Sequence, residues 1–193
     1  EALYQRGVNN LADALRYVPG LWVQSASGGD NGYISSRGSN LDATGYDNNG
    51  VKLFQDGLPV TAADGNNHNR FVDPLGARSI YVAHGTNALS YGASTLGGAM
   101  DFISPTARDG DPSQLFLGMG GRGLFTTRLK LGGVDATDRV DGLLMLEHQQ
   151  QDGDRQHSRQ RRTSLQANAG WQARPDLDLR IFLSHINNAQ QLP

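Results

Sequence analysis

Two polar loops in the first half of the chain carry side chains that could bind a small ligand. The candidates are Asp47 and Asn48 in the first loop (residues 39–50) and Asn66, Asn67, His68 and Arg70 in the second (residues 61–70). Amide and guanidinium groups can form hydrogen bonds with the oxygens of a polar ligand. Solvated surface loops explain the same residue types, so both interpretations stay open at this point.

Direct metal binding and catalysis receive little support from the residue pattern. His68 has no second histidine or carboxylate at a ligand spacing. Four aspartates could form a carboxylate pair, but aspartates beside glycines in turns are explained by turn chemistry: Asp42, Asp47, Asp56 and Asp64. No nucleophile–base motif or phosphate-binding loop is present. We therefore predict no catalytic residues, no cofactor and no metal site.

Composition limits the class of protein. The 193 residues include 25 glycines and no cysteine, and the formal net charge is -2. The absence of cysteine excludes disulfides and thiolate metal sites, and the charge gives no reason to expect a nucleic-acid partner. No run of apolar residues is long enough for a transmembrane helix. Transmembrane β-strands are not excluded by this. Their residues alternate between a lipid face and a lumen face, so an average over consecutive residues hides the hydrophobicity of the lipid face.

The first hundred residues alternate short apolar segments with turn signals. Residues 10–17 have helical spacing, with Asn9 or Asn10 as N-cap and Pro19-Gly20 as the stop. The predicted strands are residues 21–24, 33–36, 51–55, 58–60, 80–82 and 99–103. Between the strands at 51–55 and 58–60, Asp56-Gly57 is a strong tight-turn signal.

The last two of these strands bracket a glycine-rich loop. The loop contains Gly85, Gly92 and the pair Gly97-Gly98, where glycine permits positive φ and close backbone approach. Tyr91 sits where an aromatic ring could pack against neighbouring structure. Taken alone, this pattern is also typical of an ordinary connection between two strands.

Four motifs in order resemble those of the plug domain of TonB-dependent outer-membrane receptors. They are residues 10–20, 34–38 and 51–60, and the glycine-rich signature over 85–103. The resemblance covers residues 8–105, and it makes the two polar loops apical loops of the plug. It therefore implies that their candidate residues contact the ligand. Amides and a cation suit a chelate rich in carboxylate or hydroxamate oxygens, because they can bind its periphery without stripping the metal. The resemblance also implies an α+β plug domain, with a small mixed sheet and short helices, over residues 1–110. Antiparallel transmembrane β-barrel strands are then expected over 111–193.

The chain departs from the family's usual pattern at the glycine-rich loop. His84 and Thr86 stand where the family usually has arginine and proline, and Arg78 and Tyr81 stand where it usually has acidic residues. These departures weaken any plug-to-barrel salt bridge carried over to this second site. Arg37 keeps the family's first arginine position, so the resemblance implies that Arg37 anchors the plug to the barrel.

The second half of the chain alternates with a period of two. Apolar and polar residues take opposite faces in segments 125–131, 164–171 and 177–183. This is typical of an outer-membrane barrel wall, although a soluble sandwich gives a similar pattern. The connections at 132–138 and 173–176 are short, as expected of periplasmic turns. The polar, basic connection at 149–162 is longer, as expected of an extracellular loop, where its arginines could meet lipopolysaccharide phosphates.

About five such strands fit before Pro193, whereas plugged transporters need about 22 strands to close, and an open edge in lipid leaves backbone groups unsatisfied. We therefore expect an incomplete barrel and a longer parent receptor. Glu1 is expected to begin a mature or trimmed fragment, beyond the family's TonB box.

The resemblance implies a TonB-dependent receptor in the outer membrane of a Gram-negative bacterium. We expect it to import a ferric siderophore or another ferric chelate, with the TonB complex, the chelate, and outer-membrane lipid and lipopolysaccharide as partners. Two alternatives stay open. The receptor could act mainly as a ligand sensor that signals through its plug, or it could import a non-iron ligand such as cobalamin, haem or a nickel chelate.

Overall fold

The computed structural model describes residues 8, 10–25, 32–39, 51–60, 72–73, 75–92, 97–110, 113–153 and 156–191. It divides into two compact units, Glu1–Ser104 and Pro105–Pro193. The domain boundary predicted between residues 110 and 111 stays a prediction. None of the helices that the structure describes has the length and hydrophobicity needed to cross a membrane.

The first unit is built on a small mixed sheet. Its described elements are α1 (Leu11–Leu15), β1 (Leu21–Ser25), β2 (Gly32–Ser36), β3 (Val51–Gln55), β4 (Leu58–Pro59), β5 (Ser79–Ala83), a 3₁₀ helix (Gly85–Tyr91) and β6 (Gly98–Ile103). Strands β1 and β2 form an antiparallel pair, and the other four pair in the order β4-β3-β6-β5. Since β3 and β6 are parallel while the outer pairs are antiparallel, the predicted mixed sheet is confirmed.

Helix α1 is shorter than the segment predicted over residues 10–17. The Asn10 side chain accepts a hydrogen bond from the Asp13 backbone N–H at 2.9 Å, which confirms Asn10 as the N-cap. Pro19 disfavours helical backbone angles at Val18, so the helix cannot continue past Tyr17. Val18 instead donates to the Leu15 carbonyl in a tight turn, and Gly20 follows with φ 77°.

The core of the first unit lies on the two central strands. Leu53 of β3 and Met100 and Phe102 of β6 are fully buried, and they pack in one cluster with Leu11 and Leu15 of α1. A central strand covered on both faces is expected to be apolar almost throughout. Strand β6 fits this expectation, since its first five residues are buried.

The second unit is an antiparallel meander of five strands. They are β7 (Gln114–Met119), β8 (Phe125–Val134), β9 (Val140–Gln151), β10 (Gln160–Arg174) and β11 (Leu177–Gln190), paired in sequence order. The three predicted strand segments lie inside β8, β10 and β11, and all three strands are longer than predicted. Strand β8, for example, continues through Gly132 and Gly133 because both pair with β9, a tertiary contact that overrides the low strand preference of glycine.

In the five-stranded sheet, polar side chains are buried and large apolar side chains are exposed, which is the reverse of the usual arrangement in a soluble protein. Arg128, Ser164 and Asn168 are buried, whereas Ile181 and Leu183 are 75% and 58% exposed. The predicted period-two alternation is confirmed in β10, where every second residue from Arg162 to Gly170 is buried. It is not confirmed in β11, where polar and apolar residues are exposed alike. Apolar residues outside and polar residues inside are the pattern of a strand wall that faces lipid.

Candidate functional site

Three connections of the first unit join the four-stranded sheet at the same end. Val51 starts β3 opposite Gly98 of β6, and Ala83 ends β5 opposite Ala99. The Val60 N–H donates to the Leu53 carbonyl at 2.9 Å, so the chain leaves β4 at this end as well. The segments before Val51, after Val60 and between Ala83 and Gly98 thus share one attachment region.

The predicted ligand-binding residues fall in the first two of these segments. Asp47, Asn48, Asn66, Asn67, His68 and Arg70 all lie outside the described residues, and their roles stay predictions. What the structure establishes is that Val51, which follows the first polar loop, and Val60, which precedes the second, lie at the same end of the sheet. Within the described part of the chain, no group of three or more histidine and carboxylate side chains is placed to hold a metal ion.

The glycine-rich segment uses glycine for two physical reasons. Gly85 and Gly92 have φ of 57° and 92° at the two ends of the 3₁₀ helix, which occupies part of the predicted loop. Gly98 has φ 137°, and a Cβ there would lie 2.5 Å from the Ala83 carbonyl oxygen. Gly97 is buried beside it. The segment therefore needs glycine for positive φ and, at Gly98, also for close approach of two strands.

Tyr91 packs the 3₁₀ helix onto the sheet. Its ring lies 5.0 Å from the ring of Phe54 in β3, centroid to centroid. Ala88 of the same helix is fully buried in this cluster with Phe54 and Ala99. Aromatic pairs at this separation contribute beyond their buried area, so the predicted packing of Tyr91 against neighbouring structure is confirmed.

Arg37 and His84 lie at the same end of the unit. Arg37 has φ 49° and its backbone N–H donates to the Gly20 carbonyl at 2.9 Å. Its side chain passes close to Gly85, where an added Cβ would lie 3.5 Å from Nη1. His84, one of the departures from the family pattern, shares a hydrogen bond of 2.9 Å with Ser36. The anchoring role of Arg37 stays a prediction.

The opposite end of the sheet holds the predicted Asp56-Gly57 turn, which is confirmed. Asp56 has φ 53° and connects β3 to β4. Its carboxylate also accepts hydrogen bonds from the Ser104 backbone N–H at 2.8 Å and hydroxyl at 2.7 Å. Sequence analysis missed this role, because Ser104 is 48 residues away and a turn signal carries no information about a distant partner.

A buried ion pair lies on the polar face of the second unit. Arg128 of β8 and Glu147 of β9 are both buried, directly opposite each other, and Arg128 Nε donates to Glu147 Oε2 at 2.8 Å. Arg128 belongs to the polar face predicted for segment 125–131, whereas sequence analysis missed Glu147. The available signal was that Asp141 and Glu147 share one face of β9, at even spacing within an otherwise apolar run.

The turn between β8 and β9 is organised by Asp135. Its carboxylate accepts hydrogen bonds from the Thr137 hydroxyl, the Arg139 N–H at 2.8 Å and the Val140 N–H at 2.7 Å. These bonds, that of the Thr137 hydroxyl foremost, lower the pKa of Asp135 to about 2. Hydrogen bonds to a carboxylate favour its charged form, so Asp135 holds this turn as an anion.

Comparison with known proteins identifies the first unit. The model of the TonB-dependent receptor plug domain family matches residues 1–99 of the chain. The chain belongs to this family. The chain resembles the hemin receptor of Yersinia pestis, to which it is 35% identical over 98 residues, or 51% of this chain and 14% of that protein.

Solved structures extend the likeness to the five strands that follow the plug. The ferripyoverdine receptor of the Pseudomonas aeruginosa outer membrane gives a TM-score of 0.77 at 19% identity, over 96% of this chain and 24% of the receptor. The alcaligin receptor FauA of Bordetella pertussis gives 0.70 at 16% identity, over 96% of this chain and 30% of that one. The fold is therefore a plug followed by antiparallel strands that resemble the start of a TonB-dependent receptor barrel, as predicted. The described residues do not form a closed barrel.

The chain spans less than a third of the length of each of these relatives. Receptors and transporters make up this family, and the solved relatives named above are outer-membrane receptors of Gram-negative bacteria.

Proposed function

We propose that this chain is the plug and the first barrel strands of a TonB-dependent receptor that imports a ferric chelate across the outer membrane of a Gram-negative bacterium. The observation that carries the proposal is the plug-family match over residues 1–99, followed directly by a sheet with its apolar face exposed. The plug would close the lumen, and the exposed leucines of the second unit, together with Ile181, would face lipid.

In this mechanism the ligand binds to loops at the end of the plug sheet where three connections meet. We propose that Asp47, Asn48, Asn66, Asn67, His68 and Arg70 contact the chelate there. Asparagine amides can donate to and accept from its oxygens, and Arg70 can pair with a carboxylate or hydroxamate at its periphery. Such contacts leave the metal inside its own ligand shell, which suits a protein that transports the complex intact.

Energy for import would come from TonB, acting on a segment that precedes the plug. The plug must then rearrange without a large hydrophobic penalty, which requires polar contacts with the lumen wall. The buried face of the second unit supplies such a surface, with Ser164, Gln166 and Asn168 along one strand. Arg37 is our candidate for the contact that holds the resting plug to the barrel.

The cargo we favour is a ferric siderophore, because the ferripyoverdine and alcaligin receptors share the fold of both units. Haem is the second candidate. It is supported by the identity of 35% to a hemin receptor, although that match covers only 14% of the receptor.

The test is uptake by cells that carry or lack the receptor containing this chain. The panel consists of radiolabelled ferric hydroxamate, ferric catecholate and ferric carboxylate siderophores, haem and cobalamin. We expect receptor-dependent uptake of one iron-containing ligand. Uptake of cobalamin alone would replace the iron proposal, and no difference for any ligand would contradict import. If no ligand is imported but a ligand induces gene expression through the receptor, the alternative role of a ligand sensor that signals through its plug would be favoured.

A further inference from the structure

One buried carboxylate in the second unit is bound by two arginines from different parts of the chain. Asp141 lies on β9 and its side chain is 1% exposed. Arg180 of β11 donates to both of its oxygens at 2.7 Å, and Arg108 Nε donates to Oδ2 at 2.7 Å. Charge-assisted hydrogen bonds of this kind are shorter and stronger than neutral ones, so Asp141 is the centre of a tightly held cluster.

The Arg180 side chain reaches Asp141 across an intervening strand. Gly170 of β10 pairs with Asp141 on one side and with Arg180 on the other. A Cβ on Gly170 would overlap the Arg180 guanidinium and would lie 2.7 Å from Asp141 Oδ2. Gly170 is not in a positive-φ conformation, so its lack of a side chain, rather than its backbone freedom, makes the crossing possible.

The cluster ties down the start of the second unit before its first strand. Asn168 Nδ2 donates to the Pro105 carbonyl at 2.9 Å, and Asn168 Oδ1 accepts from Arg180 Nη1 at 2.8 Å. Arg108 also binds Asp138: Nη1 donates to the Asp138 carboxylate at 2.5 Å, and Nη2 donates to the Asp138 backbone carbonyl at 2.9 Å. Residues 105–108 form no strand, yet they are fixed to β9, β10 and the turn before β9.

The last residue of the first unit is also held, by a separate contact within that unit. As described above, Asp56 accepts two hydrogen bonds from Ser104. The two residues of the Ser104–Pro105 peptide bond are therefore each bound by side chains of their own unit. Without the second-unit contacts, nine residues from Pro105 to β7 could extend to roughly 30 Å, which would leave the end of the plug loosely tethered.

We propose that Asp141, Arg108, Arg180 and Asn168 form a junction clamp that fixes the exit of the plug to the barrel wall while the rest of the plug rearranges. The inference rests on the proposed function. A plug pulled from its N-terminal side needs a fixed point at its other end, because otherwise the whole domain would shift with the load. The clamp residues are positioning residues and need not touch the ligand.

Gly170→Ala tests the clamp because it blocks the Arg180 crossing and removes no charged group. Gly142→Ala is the matched control, since an added Cβ at this glycine of β9 would meet nothing closer than 3.9 Å. A second variant, Arg108→Gln, lies outside the strands and leaves the sheet pairing intact. All three are made in the receptor that contains this chain.

Hydrogen–deuterium exchange of peptides covering residues 105–110 is the first readout. We expect exchange about tenfold faster or more in Gly170→Ala and Arg108→Gln, with Gly142→Ala unchanged and the β8–β9 peptides protected in all three. Equal protection of 105–110 in every variant would overturn the clamp. This readout requires neither a ligand nor TonB, so it is separate from a failure of the proposed function.

Leakage of the outer membrane to vancomycin, an antibiotic too large for an intact plugged receptor, is the second readout. We expect Gly170→Ala and Arg108→Gln cells to become more sensitive than Gly142→Ala cells, because a loosely tethered plug occludes the lumen less well. Faster exchange over 105–110 without increased sensitivity would overturn the proposed anchoring role and leave the cluster as a purely local contact.

Discussion

Gly98→Ala is the substitution for which the structure gives the clearest energetic consequence. Gly98 begins the central strand β6 with φ 137°, where an added Cβ would lie 2.5 Å from the Ala83 carbonyl oxygen. The obstacle is backbone rather than the end of a flexible side chain. Strand β5, which pairs with β6 through Ala83 and Ala99, would have to move.

The cost has two parts. An alanine forced into this region of backbone space costs about 1–3 kcal/mol. Displacing a paired strand to admit one extra carbon in a packed region costs a further ~1–3 kcal/mol. Because the same backbone movement relieves part of both costs, we expect a total loss of about 3 kcal/mol in the free energy of opening the sheet. This loss corresponds to roughly 100-fold faster amide exchange.

Hydrogen–deuterium exchange of the β5 and β6 peptides in the purified receptor measures this loss. Gly92→Ala is the control, because Gly92 also has positive φ, at 92°, but nothing lies within 4 Å of an added Cβ. Its ψ of -162° places it in a region of backbone space that is nearly exclusive to glycine, so its cost is about 1–3 kcal/mol of backbone strain without the added clash. Equal exchange of the sheet in the two variants would refute the reasoning, because the contact with Ala83 would then add nothing.

Three further predictions follow from single side chains. Asn10→Ala should destabilise α1 by about 1 kcal/mol, because it removes the side chain that accepts a hydrogen bond from the Asp13 N–H. Hydrogen–deuterium exchange of the helix amides measures this loss, and Asn10→Asp should keep these amides as protected as in the unmodified protein. Glu147→Gln should lower the free energy of unfolding by about 3 kcal/mol or more, because it removes the buried carboxylate that Arg128 Nε binds. Thermal unfolding measures this loss, and a shift no larger than that of the exposed substitution Gln150→Ala would contradict it. The pKa of Asp135 is lowered from 3.8 to about 2 in the folded protein, so its carboxylate should stabilise the turn fully above pH 3.8 and lose that effect as the pH falls towards 2. Protection of the turn amides from exchange should decrease in this pH window. Asp135→Asn should abolish that pH dependence.

Local patterns predicted much of the fold. The Asn10 cap, the Asp56-Gly57 turn and the glycines of the 85–98 segment each follow from chemistry within a few residues. Period-two alternation predicted three of the five strands of the second unit, β8, β10 and β11, and the face that carries Arg128 and Asn168. The segments were placed correctly but were too short, because pairing with a neighbouring strand extends a strand beyond its own residue preferences.

Contacts between distant residues could not be predicted in the same way. Nothing near Asp56 indicates that it binds Ser104, and nothing near Gly170 indicates that an arginine crosses above it. Both depend on the register of strands that are far apart in the chain, and a single sequence does not carry that register. The ligand-binding residues are a different case, since their loops fall outside the described residues and the assignments remain predictions.

The central claim is that this plug belongs to an energised importer, and TonB dependence tests that claim most directly. The measurement is accumulation of the receptor's ligand in cells that carry the receptor with functional TonB and in otherwise identical cells with inactive TonB. We predict uptake above the receptor-free background only when TonB is functional. Equal uptake with inactive TonB would contradict the account.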